Sequence, residues 1–215
     1  MSSRDEILEK VGRAIAASQL APAPLPSRNY RMEGTDLPGS EAVIADMTEK
    51  LEDYTAVVSR TDENGLADEI DSALQDAKTV VVPHGLEKTW TQAAKRNGRK
   101  VYTDSPDSPL TYRELDGIKA VVTGARVAIS LSGTIILDGE ADQGRRAITL
   151  IPDKHVIVLR AKDIYPSVPQ AVAILGKHPT RPLTWIAGPS ATSDIELVRV
   201  DGVHGPRRLH VIIVG

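Results

Sequence analysis

Val80-Val81-Val82, Lys100-Val101-Tyr102 and Ala120-Val121-Val122 stand in the middle of the chain. These short, β-branched, nearly continuous apolar runs decide the fold. A strand with one wet face alternates apolar and polar residues, whereas a strand covered on both faces does not. Outward from them lie Ala56-Val57-Val58, Thr134-Ile135-Ile136-Leu137, Val156-Ile157-Val158-Leu159, Leu183-Thr184-Trp185-Ile186 and Leu209-His210-Val211-Ile212-Ile213. Helical spacing separates the early runs, as in Leu66, Ile70, Ala73 and Leu74. The pattern predicts an α/β protein with an open, doubly wound, mixed but mostly parallel sheet. Eight runs raise a closed (βα)8 barrel as the competitor, and spacing argues against it. About 11 residues separate the run ending at 122 from the one starting at 134, room for at most a short crossover helix. Turn-rich Asp138–Arg145 is expected to join Thr134–Leu137 to an antiparallel partner around Ala147–Leu150.

Upstream, residues 2–20 read as an amphipathic helix, with capping-box spacing at Ser3 and Glu6 and a stripe of Ile7, Leu8, Val11 and Ile15. Pro22, Pro24, Pro26 and Pro38 then mark an extended tether. The expected division is residues 1–39 as helix and Pro-rich tether, and residues 40–215 as the α/β domain. Ser40 opens a second helix that turns Val43, Ile44, Met47 and Leu51 inward.

Composition narrows the function. The 215 residues include no cysteine, which excludes disulfides, cysteine nucleophiles and thiolate-bound clusters in this chain. A net charge of −3, no Phe and 3% aromatics offer neither a basic field nor stacking platforms, so no nucleic-acid partner is expected. The charged N-terminus lacks an apolar signal region, and Ile164–Gly176 is too short for a membrane span. A cytoplasmic location is the expectation. No two histidines have the i,i+4 spacing of a metal pair, so no metal site is expected.

In open α/β sheets ligands bind beyond the carboxyl ends of strands. The strongest candidate is Gly188-Pro189-Ser190-Ala191-Thr192-Ser193-Asp194-Ile195-Glu196. It is read as a buried strand running into a glycine, small hydroxyls and a helix start, which together suit an anion. Plain helix capping by Ser193 and Glu196 is the competing reading. A second candidate joins Gly124 to Ser132, Gly133 and Thr134, expected on the opposite wall, with tight-turn geometry as its alternative. Asp138–Arg146 is read as an exposed hairpin tip, or as an arginine reaching an anionic substrate. His155 and His210 are taken as structural. His84 follows a strand at the active edge, and His204 is expected at the pocket rim.

The runs Gly188-Pro189-Ser190-Ala191-Thr192-Ser193-Asp194-Ile195-Glu196 and Gly202-Val203-His204-Gly205-Pro206-Arg207 closely resemble the lactate utilization protein C family (LutC/YkgG), the LUD-domain proteins. Ser132–Asp138, Gly144-Arg145-Arg146 and the opening Ser2–Leu8 extend the resemblance over most of the chain. It implies a fold like the NagB/RpiA/CoA-transferase group. It also implies a role beside iron–sulfur partner proteins in oxidising L-lactate to pyruvate, with this chain as the component without a cofactor or cluster of its own. The resemblance assigns no catalytic residues. The competing functions are a stand-alone enzyme acting on a phosphorylated or folate-like anion, and a non-catalytic assembly or regulatory subunit.

Overall fold

A computed structural model describes residues 2–18, 23–32, 36–193, 199–202 and 204–215. The chain forms two units, Met1–Tyr30 and Arg31–Gly215. The first contains α1 (Ser3–Ser18), which buries none of its residues and exposes Ile7, Leu8, Val11 and Ile15. Its cap lies one residue earlier than the sequence spacing suggests. The Asp5 amide donates to Ser2 Oγ at 3.3 Å, and the Ser2 amide donates to Asp5 Oδ2 at 3.1 Å.

The second unit opens with α2 (Glu41–Asp53), β1 (Val57–Thr61), α3 (Leu66–Ala73), β2 (Thr79–Pro83), α4 (Lys88–Lys95) and β3 (Lys100–Asp104). Next come α5 (Tyr112–Asp116), β4 (Ala120–Thr123), β5 (Val127–Ile129), β6 (Thr134–Leu137), β7 (Lys154–Arg160) and β8 (Ile164–Tyr165). The chain ends with α6 (Val168–Leu175), β9 (Thr184–Ile186), β10 (Ala191–Ser193), β11 (Arg199–Asp201) and β12 (Arg208–Val214).

Six strands form one sheet in the order β1-β12-β7-β4-β2-β3, parallel throughout. Their two-residue period sorts the core. Val80, Val82, Ala120, Val122, Val156, Val158 and Ile212 meet Leu66 and Ile70 of α3 and Trp90 of α4. On the other face, Ile157, Leu159, Val211 and Ile213 meet Val43, Ile44, Met47 and Leu51 of α2. Farther along that face, Val81 and Val121 meet Leu115 of α5 and Ile148. Helices on both faces make the sheet doubly wound, as the apolar runs require.

Two of the eight runs lie outside that sheet. Thr134–Leu137 and Thr184–Ile186 belong to a separate mixed sheet, β8-β5-β6-β9. The antiparallel partners of β6 are β5 and β9, and residues 147–150 form turns instead of the expected strand. One face of the small sheet joins the α2 cluster through Ala128 and Ile135, and the other packs Val127, Ile129 and Ile136 on Ala171 and Leu175 of α6. A run apolar on both faces is equally at home in either sheet, so hydrophobicity alone did not separate them.

Candidate functional site

The chain leaves β2 toward β3 on one side and leaves β4 toward β7 on the other. The point between β2 and β4 is therefore where open α/β sheets form their ligand crevice. Here the protein's own loop crosses it. The Gly85 amide donates to the Ala141 carbonyl, and the Gly124 amide to the Asp142 carbonyl, each at 3.0 Å. Gly124 is packed so closely that a Cβ there would overlap the Asp142 carboxylate. Burial raises the pKa of Asp142, and the nearby acids Glu140, Asp138 and Glu87 add to the effect.

Asp138–Arg146 is thus only in part the exposed tip expected: Gly139, Ala141 and Arg146 are exposed, and the rest of the loop is not. Asp138 and Gln143 are buried, and the Asp138 amide donates to Gln143 Oε1 at 2.6 Å. Arg181 bonds Asp138 Oδ2 at 3.0 Å and also pairs with Glu140. Arg145 grips buried Asp104 through two donors, Nε to Oδ2 at 2.9 Å and Nη2 to Oδ1 at 2.8 Å. This fork ties the loop to the end of β3.

Beside the loop lies a groove of two chambers. The larger, about 370 Å³, reaches the carboxyl ends of β2 and β3 at His84 and Asp104 and is walled by Leu137, Gly139–Ala141, Arg145 and Pro182. The smaller, about 230 Å³, lies against His155 and Leu209, near the starts of β7 and β12, and under Gly188–Ser190 and His204–Pro206. Arg146, Thr149 and Thr184 line both. The smaller chamber therefore sits on a sheet face rather than beyond strand ends.

Arg146 is the chemical centre of this groove. Its Nη1 donates to Thr149 Oγ1 at 3.1 Å, and among the described residues no carboxylate pairs with it. Desolvation lowers its pKa, but a guanidinium stays charged at neutral pH. Behind it, His155 is fully buried and its Nε2 lies 2.8 Å from Thr123 Oγ1. Burial, then the Arg146 charge, pull the His155 pKa down to about 3, so the imidazole is neutral. An exposed cation without a carboxylate partner among the described residues, the buried Thr149 hydroxyl and a neutral imidazole thus stand together on the groove wall.

The expected site residues divide. Gly188, Pro189, Ser190 and His204 line the smaller chamber together. Ser190 knits the wall: its amide donates to the Pro206 carbonyl at 2.8 Å, and its Oγ accepts from the His204 amide at 3.0 Å. The preceding strand is not buried, since β9 leaves Trp185 46% exposed. Gly188 has φ +83, and a Cβ there would stand 2.6 Å from Tyr54 Cβ. Ser193 ends β10, which pairs antiparallel with β11, and the helix start expected after it lies outside the described residues. Thr192 pairs with Val200 in that ladder, while Asp194 and Glu196 lie outside the described residues.

Gly124, Ser132, Gly133 and Thr134 line neither chamber. Gly133, at φ +58, ends a tight 3-10 turn and packs on Lys50 of α2, and Ser132 Oγ lies 2.8 Å from Thr134 Oγ1. Tight-turn geometry accounts for all three. His210 sits in β12 with Nε2 3.0 Å from Ser59 Oγ. Sequence reasoning missed Thr149 and the groove-facing role of His155. The doublet Arg145-Arg146 was the signal, and which arginine was spent on an acid was not readable from it.

Among the described residues no group of three or more His, Cys, Asp or Glu side chains stands ready to hold a metal ion, and no helix is long and apolar enough to cross a membrane.

The parallel sheet and the small second sheet beside it define a mixed α/β protein. The LUD domain model matches residues 44–214, and the chain belongs to that family. A protein of Deinococcus radiodurans named Lactate utilization protein C is 44% identical over 98% of this chain and 94% of its own length. A Bacillus subtilis protein of the same name is 26% identical over 72% of this chain and 70% of its own. The crystal structure of a DUF162 family protein from Deinococcus radiodurans superposes with a TM-score of 0.68 at 39% identity, covering 81% of this chain and 97% of that one.

Proposed function

We propose that this protein serves lactate utilization, seating the carboxylate of L-lactate or pyruvate on Arg146 in the smaller chamber. The observation that carries the reading is Arg146 itself, a groove cation with no carboxylate partner among the described residues. Its planar fork matches a carboxylate, and Thr149, Ser190 and neutral His155 supply polar groups for a neighbouring hydroxyl or carbonyl. The name carried by the 44% identical relative supplies the substrate class. On this reading the chain is the cluster-free, cytoplasmic component of an L-lactate-oxidising system whose partners are iron–sulfur proteins. Its lack of cysteine supports this reading, since the chain has no thiolate to hold a cluster.

Calorimetry of the full chain with L-lactate and with pyruvate tests the site. Arg146→Ala removes a charge-assisted bond of roughly 1.5–3 kcal/mol, or about 10- to 150-fold in affinity. Equal affinity in the variant would sink the assignment. Co-purification with iron–sulfur proteins, and lactate oxidation reconstituted with and without this chain, test the wider role.

A further inference from the structure

The carboxylate reading uses the groove wall and gives no role to the loop that crosses the crevice between β2 and β4. We propose that Gly139–Gly144 is a proton-linked latch over that crevice, closed while the Asp142 carboxyl is neutral and loosened when it ionises. The inference is independent of Arg146 being the carboxylate anchor.

The latch has fixed ends and a freer middle. Asp138 and Gln143 are buried, and Arg145 grips Asp104. Between them Glu140 and Asp142 are half-buried and Ala141 is exposed. The Gln143 and Gly144 amides donate to the Glu140 carbonyl at 2.9 and 3.0 Å, so these bonds lie within the turn itself. Gly139 at φ +74 and Gly144 at φ +69 bound it. Glycine moves between positive and negative φ at little cost, which suits a pivot. The middle is fastened to its surroundings by the Gly85 and Gly124 amides, on the Ala141 and Asp142 carbonyls at 3.0 Å, and by the Arg181–Glu140 ion pair.

Asp142 is the member that sits badly when charged. A Cβ on Gly124 would overlap its carboxylate, so the group is pressed against the end of β4. The charged groups that reach it are acids, Glu140 and Asp138 from its own loop and Glu87 from the turn before α4, while Gly124 brings none. The cations beside those acids are engaged: Arg181 with Asp138 and Glu140, Arg126 at 3.7 Å from Asp138, and Arg160 with Glu63 and Glu87. Among the described residues no cation pairs with Asp142 itself. Burial first, then the like charges, raise its pKa against the pull of its own amide. A carboxyl whose pKa is raised in the closed state costs that state nothing below its free value, and disfavours it increasingly as pH rises through the raised one. Acid therefore tightens the latch. When it lifts, Gly139, Glu140 and Ala141 leave the wall of the larger chamber, and the Gly85 and Gly124 amides are bared beyond β2 and β4.

Amide hydrogen exchange of the full chain, followed by NMR, reads the latch at Gly85 and Gly124, whose amides exchange when the turn lifts. Asp142→Asn keeps the shape and removes the charge. At pH 7 the variant protects both amides about tenfold more than the natural chain, while amides of β7 change less than about twofold. Near pH 4 the natural chain approaches the variant and the gap closes. Glu87→Gln removes a neighbouring acid from outside the loop and moves the same two amides in the same direction by a smaller factor. It carries the test if Asp142→Asn does not fold. Unchanged protection of Gly85 and Gly124 in the folded variants overturns the latch. So does a rise shared equally by β7, which is a gain in global stability, and so does a gap that persists near pH 4, which is an effect of shape and not of charge. No ligand enters the measurement, so its result stands or falls apart from the pyruvate assignment.

Discussion

His155 should contribute to the acid destabilisation of this protein by an amount that follows from its burial. The residue is 1% exposed and its folded-state pKa lies at about 3. An unfolded chain titrates histidine near 6.5. The unfolded state therefore binds the extra proton across the window between these values. The contribution is fully present above about pH 6.5 and is lost progressively as pH falls toward 3. Between pH 7 and pH 5 the linkage amounts to about 2 kcal/mol, a large part of an ordinary folding free energy. His155→Gln keeps a hydrogen-bonding group beside Thr123 and removes the titration. The measurement is urea unfolding at both pH values, followed by fluorescence of core-buried Trp90. Between pH 7 and pH 5 the natural chain should lose about 2 kcal/mol more than the variant. Other titrating groups are common to both proteins and cancel in the difference. Parallel losses would refute the reasoning, because His155 would then have water or a proton acceptor that the structure does not give it. Arg146→Ala sharpens the test. The Arg146 charge is the second cause of the depressed value, so its removal should raise the histidine pKa and shrink the loss at pH 5.

Three further outcomes are expected. Gly188→Ala should destabilise by about 1–3 kcal/mol, since it forces a side chain into positive φ against Tyr54; thermal melting would show it, and an unchanged midpoint would contradict the geometry. Asp104→Asn should cost about 1–3 kcal/mol and weaken pyruvate binding, because Arg145 loses the carboxylate that holds the loop carrying Arg146; tight pyruvate binding in the variant would show that the loop is held by other means. Deleting residues 1–30 should leave cooperative unfolding of residues 31–215 intact, as α1 buries none of its own side chains; a large drop in melting temperature would assign α1 a packing role.

The sequence by itself determined the strands of the buried sheet. Val80–Val82, Ala120–Val122 and Val156–Leu159 are apolar on both faces, and only a strand covered on both sides makes that pattern favourable. The inward stripe of α2, Val43, Ile44, Met47 and Leu51, was equally legible from 3.6-residue spacing. Zero cysteine excludes thiolate ligands from this chain. Gly188, Pro189, Ser190 and His204, singled out from the sequence, line one wall of the smaller chamber. Tertiary structure alone decided the rest. Burial patterns carry no strand order, so nothing in Thr134–Leu137 or Leu183–Ile186 assigned them to a second sheet. Nothing local in Asp138–Arg146 revealed that Gly85 and Gly124, far apart in sequence, would hold this loop across the crevice by backbone bonds. The choice between Arg145 and Arg146 also rested on a distant residue. Asp104, at the carboxyl end of β3, pairs with the first, and among the described residues no carboxylate pairs with the second.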